Sequence, residues 1–294
     1  MKLPSKIKIL YESLWGEWLK IYYSIFGKLF QYGVNTTDKR KEKVIVSLTS
    51  YGRRVGTVLP YTIMSLLRQS YKPDMIILWL DNDNWNDVKL PKSLKRLKKY
   101  GLTIRYCEDL KSYKKLIPAL EEFPDDIIIT CDDDLYYRHY VVKDLIDAYW
   151  QNPSNIHVQN AHIIHLDKQG KILPYDKWTM DISGKTGRNV FPTGGSGCLY
   201  RKNLLYKDIC NDKLFMSLSP KADDVWFFFM AFLNGTNASV LPKKHNRYIP
   251  LDNFYQYFHK NANLSSSNVK ENQNDVQIQS IIKHYGIDCS SYHE

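Results

Sequence analysis

The sequence predicts an α/β protein in which helices flank a mostly parallel sheet, followed by a less regular second half. Three observations predict this class. Four short apolar runs that fit buried strands alternate with helical patterns between residues 44 and 131, and this alternation is typical of β-α-β units. Acidic residues follow three of these runs, and ligands of such sheets bind beyond the carboxyl ends of the strands. After residue 150 the chain changes to short strands, turns and glycine-rich stretches.

The predicted elements follow one another without an internal repeat. In chain order, the strands are VIVSLT (44–49), MIILWL (75–80), LTIRYC (102–107) and DIIITC (126–131). Helices are predicted at residues 57–69 and 90–100, from residue 114 onward, and in the second half at residues 223–235 and 274–286. Gly101 stops the helix before it, as glycine commonly does. We therefore expect one α/β domain over residues 44–294.

Composition limits the class of protein further. With 294 residues and 44% hydrophobic content, the chain can bury a large core. Its five cysteines include no pair with CxxC spacing, which indicates neither a disulfide framework nor a zinc site. A reducing compartment, the cytoplasm, fits this pattern best.

Residues 1–43 form a basic arm. They carry eight Lys and one Arg against four acids, so half of the formal net charge of +10 lies there. The apolar residues recur in steps of three and four, on one helical face; they are Leu10, Leu14, Trp18, Ile21, Ile25, Leu29 and Tyr32. Acids and lysines interrupt the run, so no clean membrane span is expected. Two interpretations stay open: a helix lying on an anionic bilayer at the inner face of the cell membrane, or a helix packed on the protein.

The strand-end acids indicate one ligand site. Asp81, Asp109 and the run Asp132–Asp134 follow three predicted strands, so we expect them at one edge of the sheet. On an extended strand, Asp132 and Asp134 point the same way and Asp133 the other. An Asp-x-Asp pair offers hard oxygen ligands for Mg²⁺ or Mn²⁺. The alternatives are a solvated acidic loop and a helix start that favours negative charge.

Five segments in this order resemble the GT-A glycosyltransferases, most closely the bacterial enzymes that build capsule or lipopolysaccharide glycans. The segments are VSLTSYGRRV, IILWLDND, EDLKSYKKLIPAL, CDDDLYY and ADDVWFFFMAFLNG, and the resemblance covers roughly residues 44–285. It implies the GT-A fold and metal-dependent transfer of a sugar from a nucleotide-diphosphate donor, most often UDP. The acceptor would be a hydroxyl of a growing glycan or of a lipid-linked glycan.

The resemblance also implies roles for matching residues. The donor-side set is Thr49, Ser50 and Tyr51 with Arg54 nearby, Asp81 and Asp109 for the base or ribose, Lys115 facing the nucleotide, and Asp132 and Asp133. Asp132 and Asp134 would ligate Mn²⁺ or Mg²⁺, with a late histidine, His245 or His259, completing the site; of these two, His259 is assigned to the metal. Gly194 and Gly195 lie in a loop that would approach the acceptor sugar.

The second acidic pair, Asp223 and Asp224, opens a predicted helix. In inverting members of the family, a carboxylate at the position of Asp224 is the general base that deprotonates the acceptor hydroxyl, which requires hydrogen-bond reach. Asp223 is then on the acceptor side. The alternative for either residue is helix N-capping.

Two other functions compete with sugar transfer. A sugar-1-phosphate nucleotidyltransferase shares the half-sheet and the metals, but SYGRRVG is a poor match to its glycine-rich phosphate loop. A nonenzymatic protein that binds membrane or nucleic acid leaves the strand-end acids unexplained, because without a metal they repel a phosphate backbone. We therefore expect no nucleic-acid partner.

Overall fold

The computed structural model describes residues 5–242, 248–259 and 273–289. Within these ranges the strands are β1 Val44–Thr49, β2 Met75–Asp81, β3 Leu102–Cys107, β4 Ile127–Cys131, β5 Leu135–Tyr137, β6 Ile156–Val158, β7 Ala161–Ile163, β8 Thr186–Gly187, β9 Val190–Pro192, β10 Cys198–Tyr200, β11 Ala238–Val240 and β12 Tyr248–Pro250. The helices are α1 Ser5–Phe26, α2 Arg54–Thr57, α3 Leu59–Leu66, α4 Lys92–Leu97, α5 Ile117–Glu122, α6 Val141–Gln151, α7 Asp212–Leu218, α8 Asp223–Leu233, α9 Asn253–Phe258 and α10 Gln273–Tyr285.

The central sheet has eight strands in the order β3-β2-β1-β4-β10-β6-β11-β8. β1 pairs in parallel with β2 and β4, and β2 pairs in parallel with β3. β10 is antiparallel to both of its neighbours, and β8 is antiparallel to β11. The predicted α/β class with a mostly parallel sheet is confirmed. Because β1 to β4 run the same way, the acids that follow β2, β3 and β4 share one sheet edge.

The first strands form because their apolar runs are buried on both faces. Ile45 and Ile128 belong to the hydrophobic core on one side of the sheet. Their neighbours Val46 and Ile129 belong to the core on the other side. This alternation is the period of two that a pleated strand imposes, and it explains why near-continuous apolar runs predict these strands.

Two predicted helices are divided, and proline explains both divisions. The helix expected at residues 57–69 is α2 and α3, with Pro60 in the first turn of α3. The helix expected from residue 114 is a 3₁₀ turn at Lys111–Lys115 followed by α5, with Pro118 in its first turn. Proline has no N–H to continue a preceding helix, but it fits the start of a new one.

One face of α1 packs on the body of the protein. Leu19 and Tyr23 are buried in a small core with Ile249 and Leu251. The Tyr23 hydroxyl accepts a hydrogen bond of 2.6 Å from Arg68. This face of the helix is therefore part of the folded domain.

The opposite face of α1 carries the apolar stripe that the sequence predicts. Six side chains of α1 and of the 3₁₀ turn that follows it, Gly27–Leu29, are between 49% and 79% exposed; they are Leu10, Leu14, Trp18, Ile21, Ile25 and Leu29. We call these six residues the apolar stripe; the seventh predicted member, Tyr32, is half-buried. Among the described residues, no helix is long and apolar enough to cross a membrane.

The packing of α1 predicts unequal effects of the same substitution at two leucines. Leu19→Ala leaves a cavity and should lower the free energy of unfolding by about 2–4 kcal/mol. Leu14→Ala, on the exposed face of the same helix, should change it by less than about 1 kcal/mol. Urea denaturation followed by tryptophan fluorescence measures both. Equal losses for the two variants would contradict this packing.

Candidate active site

The three consecutive aspartates form a turn, which we call the acidic turn (Asp132–Asp134). β4 ends at Cys131 and β5 begins at Leu135. The prediction that Asp132 and Asp134 point the same way and Asp133 the other is wrong. Asp133 and Asp134 both contact Arg54, whereas Asp132 contacts Lys115. Side chains alternate only while the chain stays extended, and here the strand has already ended.

Arg54 is the cation of one half of the acidic turn. Its guanidinium lies 3.0 Å from Asp133 and 3.1 Å from Asp134. A third contact, of 3.1 Å, joins its Nε to Asp252. Ser50 adds a hydrogen bond of 2.5 Å to Asp133. Arg54 and Ser50, two residues of the loop after β1, thus hold the acidic turn in place.

Burial acts on the carboxyl groups of this half. It raises the pKa of Asp134 to about 7, although Arg54 opposes the shift. It also raises the pKa of Asp133, again against Arg54. At both carboxyl groups, the effect of burial on the pKa therefore outweighs that of the ion pair with Arg54.

Lys115 is the cation of the other half, and it joins the two acidic motifs. Its ammonium group lies 3.2 Å from Asp132, 2.9 Å from Asp223 and 3.9 Å from Asp224. The residue is 5% exposed. Burial acts to lower the pKa of Lys115, but the three carboxylates outweigh it and hold this pKa well above its usual value. Lys115 stays charged and fixes the distance between the acidic turn and α8.

Asp224 is the residue predicted to be the general base. It lies in the first turn of α8, where the N-cap is Ala222 and no side chain caps the helix, so neither Asp223 nor Asp224 is a cap. The Gly194 N–H donates to Asp224 Oδ1 over 3.2 Å, and the side chain is 31% exposed. Burial raises the pKa of Asp224 to about 7, against the effect of Lys115. A carboxyl group with this pKa can accept a proton at neutral pH.

The glycines of the predicted acceptor loop approach carboxylates closely. A Cβ on Gly194 would lie 2.7 Å from Asp224 Oδ1, and one on Gly195 would lie 2.5 Å from Asp132 Oδ2. The Tyr137 hydroxyl donates to the Gly195 carbonyl over 2.5 Å. A larger residue at either position would push the neighbouring carboxylate out of place. Glycine is therefore required here for this close approach as well as for the tight turn.

The remaining donor-side residues lie at the same edge but have their own partners. Thr49 donates to the Trp79 carbonyl, and Asp81 accepts two hydrogen bonds from Asn84. Asp109 forms an ion pair with Lys114. Tyr51 is 47% exposed, and its ring faces Arg54 with 5.7 Å from the guanidinium carbon to the ring centre. The structure thus brings Ser50, Arg54 and Lys115 into contact with the acidic turn, whereas Thr49, Asp81 and Asp109 bind other partners.

Several site residues were not predicted, because they come from a distant segment. Asp252 binds Arg53 over 2.6 Å as well as Arg54. Gln256 donates to Asp134 over 3.3 Å. Arg53 also stacks on Tyr255, with 3.2 Å to the ring centre. The only sequence signal was the pair of adjacent arginines, 53 and 54, beside a tyrosine.

The predicted set of metal ligands is only partly brought together. His259 is exposed, and its ring stacks on Tyr255; His245 lies outside the described residues. Among the described residues, no three His, Cys, Asp or Glu side chains form a group that could hold a metal ion.

Two oxygens of the acidic turn nevertheless suit a hard cation. No described donor contacts Asp132 Oδ2 or Asp134 Oδ1. Six carboxylates at this edge share three cations, so the fully ionised cluster is negative. The carboxylates are those of Asp132, Asp133, Asp134, Asp223, Asp224 and Asp252, and the cations are Arg53, Arg54 and Lys115. This donor set fits Mg²⁺ or Mn²⁺, which commonly take one or two carboxylates together with water and phosphate oxygens.

Comparisons with solved structures found matches at low identity. Residues 1–349 of S. aureus TarS are 17% identical, with a TM-score of 0.48 over 83% of this chain and 72% of that one. The same fragment in complex with UDP is 16% identical, with a TM-score of 0.46 and the same coverage. A CMP:2-keto-3-deoxy-manno-octonic acid synthetase complexed with CTP is 10% identical, with a TM-score of 0.43 over 76% of this chain and 99% of that one. A search of curated proteins found no match.

A family model identifies the family to which the chain belongs. The family model described as "Glycosyl transferase family 2" matches residues 45–209, which is more than half of the chain and spans β1, the acidic turn and the glycine loop. The predicted GT-A type of fold and the predicted enzyme class are therefore confirmed. The chain belongs to glycosyl transferase family 2 and is a glycosyltransferase with the GT-A fold.

Proposed function

We propose that the protein is a metal-dependent, inverting glycosyltransferase. It moves a sugar from a nucleotide-diphosphate donor, with UDP as the carrier, to a hydroxyl of a growing surface glycan of the capsule or lipopolysaccharide type. The observation that carries the proposal is the position of Lys115, which contacts Asp132 of the acidic turn and both acids at the start of α8. A donor-side acid and a candidate base are thereby held within one cluster.

Asp224 has the properties of the base. Lys115 and the Gly194 N–H both approach Oδ1, and no described residue contacts Oδ2, so Oδ2 is available to an acceptor hydroxyl. Asp224 takes the hydroxyl proton while the hydroxyl oxygen bonds to the anomeric carbon. The bond from that carbon to the diphosphate breaks on the opposite face, which inverts the configuration. Asp223 stays paired with Lys115, so the cluster keeps a charged pair when Asp224 is protonated.

The acidic turn serves the donor. Asp132 and Asp134 would hold Mn²⁺ or Mg²⁺, which would neutralise the diphosphate as it leaves. Arg54 orients Asp133 and Asp134, and Ser50 orients Asp133. The exposed ring of Tyr51 stands at the mouth of this site, where it can stack on the nucleotide base.

The apolar stripe of α1 suits attachment to the inner face of the cell membrane. Its exposed side chains include Trp18 and five aliphatic residues, and residues 1–43 carry a formal charge of +5. Exposed apolar groups next to lysines are the composition of a helix that lies in an anionic interface. Attachment there would hold the catalytic site near a lipid-linked acceptor.

The first prediction concerns the base. Asp224→Asn should reduce transfer about a hundredfold or more while the Kd of the donor changes little. Asp212→Asn, a first-turn aspartate of α7 outside the site, is the matched control and should stay near wild type. Equal losses of donor binding and transfer, or a product of retained configuration, would exclude Asp224 as an inverting base.

The same base predicts a pH profile. The base must be ionised, so kcat/KM should rise with pH through an acid limb near 7, the pKa of Asp224. Lys115→Gln removes a cation that favours the ionised form, so it should move the limb to higher pH. Asp134 also has a pKa of about 7, and a titration of donor Kd against pH separates the two groups. An acid limb that stays unchanged in Lys115→Gln would contradict this coupling.

The second prediction concerns the metal. Asp134→Asn should abolish the Mn²⁺-dependent part of UDP binding, because it removes a carboxylate ligand, while the unfolding transition stays cooperative. Isothermal titration calorimetry with Mn²⁺ and with chelator measures this part. Asp167→Asn is the control, since Asp167 only accepts backbone hydrogen bonds in a distant turn. Chelator-insensitive binding in the wild type would refute metal dependence.

The third prediction concerns the glycine loop. Gly195→Ala should lower donor affinity and transfer at least about tenfold, because its Cβ would displace Asp132. Gly33→Ala is the control, because a Cβ there meets nothing within 4 Å. Steady-state kinetics measures donor affinity and the rate of transfer for both variants. Normal activity of Gly195→Ala would mean that Asp132 does not need its present position.

The fourth prediction concerns the membrane. Binding to phosphatidylglycerol vesicles should weaken with added salt, and Ile21→Ser/Ile25→Ser should weaken it further without changing hydrolysis of a soluble donor. Vesicle cosedimentation measures binding. We choose this pair because deleting α1 would also remove the buried Leu19 and Tyr23. Wild-type binding by the double variant would contradict attachment through the stripe.

A further inference from the structure

A cavity of about 260 Å³ lies at the carboxyl end of α1, away from the acidic turn. It is bounded by the end of α1, the turn that follows it, α3 and α4. Four tyrosines line it, together with two cations: Tyr23, Tyr32, Tyr61, Tyr100, Lys28 and Arg96. No lining residue is acidic. A cavity with aromatic walls and only positive charge suits an anionic ligand.

The two cations have no partner among the described residues. Lys28 and Arg96 are both exposed, and neither forms an ion pair or hydrogen bond there. By contrast, Lys98 nearby pairs with Asp87, and Lys95 donates to a carbonyl. Lys28 and Arg96 therefore keep all their donors for a ligand at the mouth of the cavity.

A buried hydroxyl gives an independent indication of a missing polar group. The Tyr32 hydroxyl is shielded from solvent and has no hydrogen-bond partner among the described residues. Leaving a buried hydroxyl unpaired costs about 1–3 kcal/mol. In the same cavity, Tyr61 and Ser24 are hydrogen-bonded to each other over 2.8 Å. A ligand oxygen that reached this hydroxyl would give Tyr32 a hydrogen-bond partner.

The position of the cavity indicates where that ligand comes from. Ser24 and Lys28 line it, and the last members of the apolar stripe, Ile21, Ile25 and Leu29, are interleaved with them along the chain. A helix that lies on a bilayer by this stripe brings the mouth of the cavity to the level of the lipid phosphates.

We propose that this cavity is a binding site for the phosphate headgroup of an anionic membrane lipid. The inference rests on the membrane attachment proposed above. Arg96 offers a planar pair of donors and Lys28 a point charge, the two usual ways of binding phosphate. Tyr32 lies deeper and donates to a headgroup oxygen. The acyl chains leave the mouth along the apolar stripe.

The test compares vesicles that differ only in headgroup. Full-length protein is titrated with phosphatidylcholine vesicles, with and without phosphatidic acid. Lys28→Gln/Arg96→Gln should weaken binding to the phosphatidic acid vesicles about 25-fold, since each cation near an anionic surface contributes about fivefold. The control Lys168→Gln/Lys171→Gln removes the same charge from exposed sites elsewhere and should change binding less than about twofold. Equal losses in both double variants would overturn the site and leave only diffuse attraction.

Two further variants distinguish the contribution of the cavity to vesicle binding from the contributions of charge and of the apolar stripe. Ser93→Trp keeps every charge but fills the cavity, so it should weaken binding to the phosphatidic acid vesicles about as much as Lys28→Gln/Arg96→Gln does; unchanged binding would overturn the proposal. Ile21→Ser/Ile25→Ser should weaken binding to both vesicle types alike, so its failure would count against the membrane attachment and not against the headgroup site. Glycerol 3-phosphate is the soluble competitor. If glycerol 3-phosphate binds as tightly as the lipid, the cavity is a site for a free phosphate, and the lipid source is overturned.

Discussion

The balance of charge at one sheet edge is the constraint on which the site depends. Three adjacent carboxylates repel one another unless cations lie between them, and the chain provides two such cations from opposite directions. Arg54 comes from the loop after β1 and Lys115 from the turn before α5. Because Lys115 also binds Asp223, the start of α8 is placed by the same interaction. The position of the candidate base thus follows from the need to neutralise the acidic turn.

Much of the fold could be predicted because its signals are local. Strands β1 to β4 are apolar runs buried on both faces, and β1 and β3 begin and end where the sequence predicts. The shared edge of Asp81, Asp109 and the acidic turn follows from parallel strands alone. The assignment of Asp224 as the base came from the resemblance to the glycosyltransferases, and the two acids before a long apolar helix mark the segment that carries it. Pro60 and Pro118 could also have been used to divide the two helices that were predicted as continuous.

The ion pairs could not be predicted, because no period or spacing links their partners. Arg54 and Asp252 are 198 residues apart, and nothing near Asp252 marks it as part of a donor site. The side-chain directions in the acidic turn were predicted wrongly because the alternation of a strand was carried past Cys131, where β4 ends. In α1 the apolar pattern revealed the exposed face and not the packed one. The packed face contains Ser13 and Gly16, and Gly16 lies against the backbone of Pro250, so close approach of small residues replaces a second apolar stripe.

The contact between α1 and β12 joins two segments that are far apart in the sequence. During synthesis, α1 is made long before Ile249 and Leu251, which cover its buried face. Until then Leu19 and Tyr23 are open along with the apolar stripe, and the nascent segment has the composition of a helix that binds a membrane surface. With the membrane attachment proposed above, this helix would reach the bilayer before its packing partners have been made.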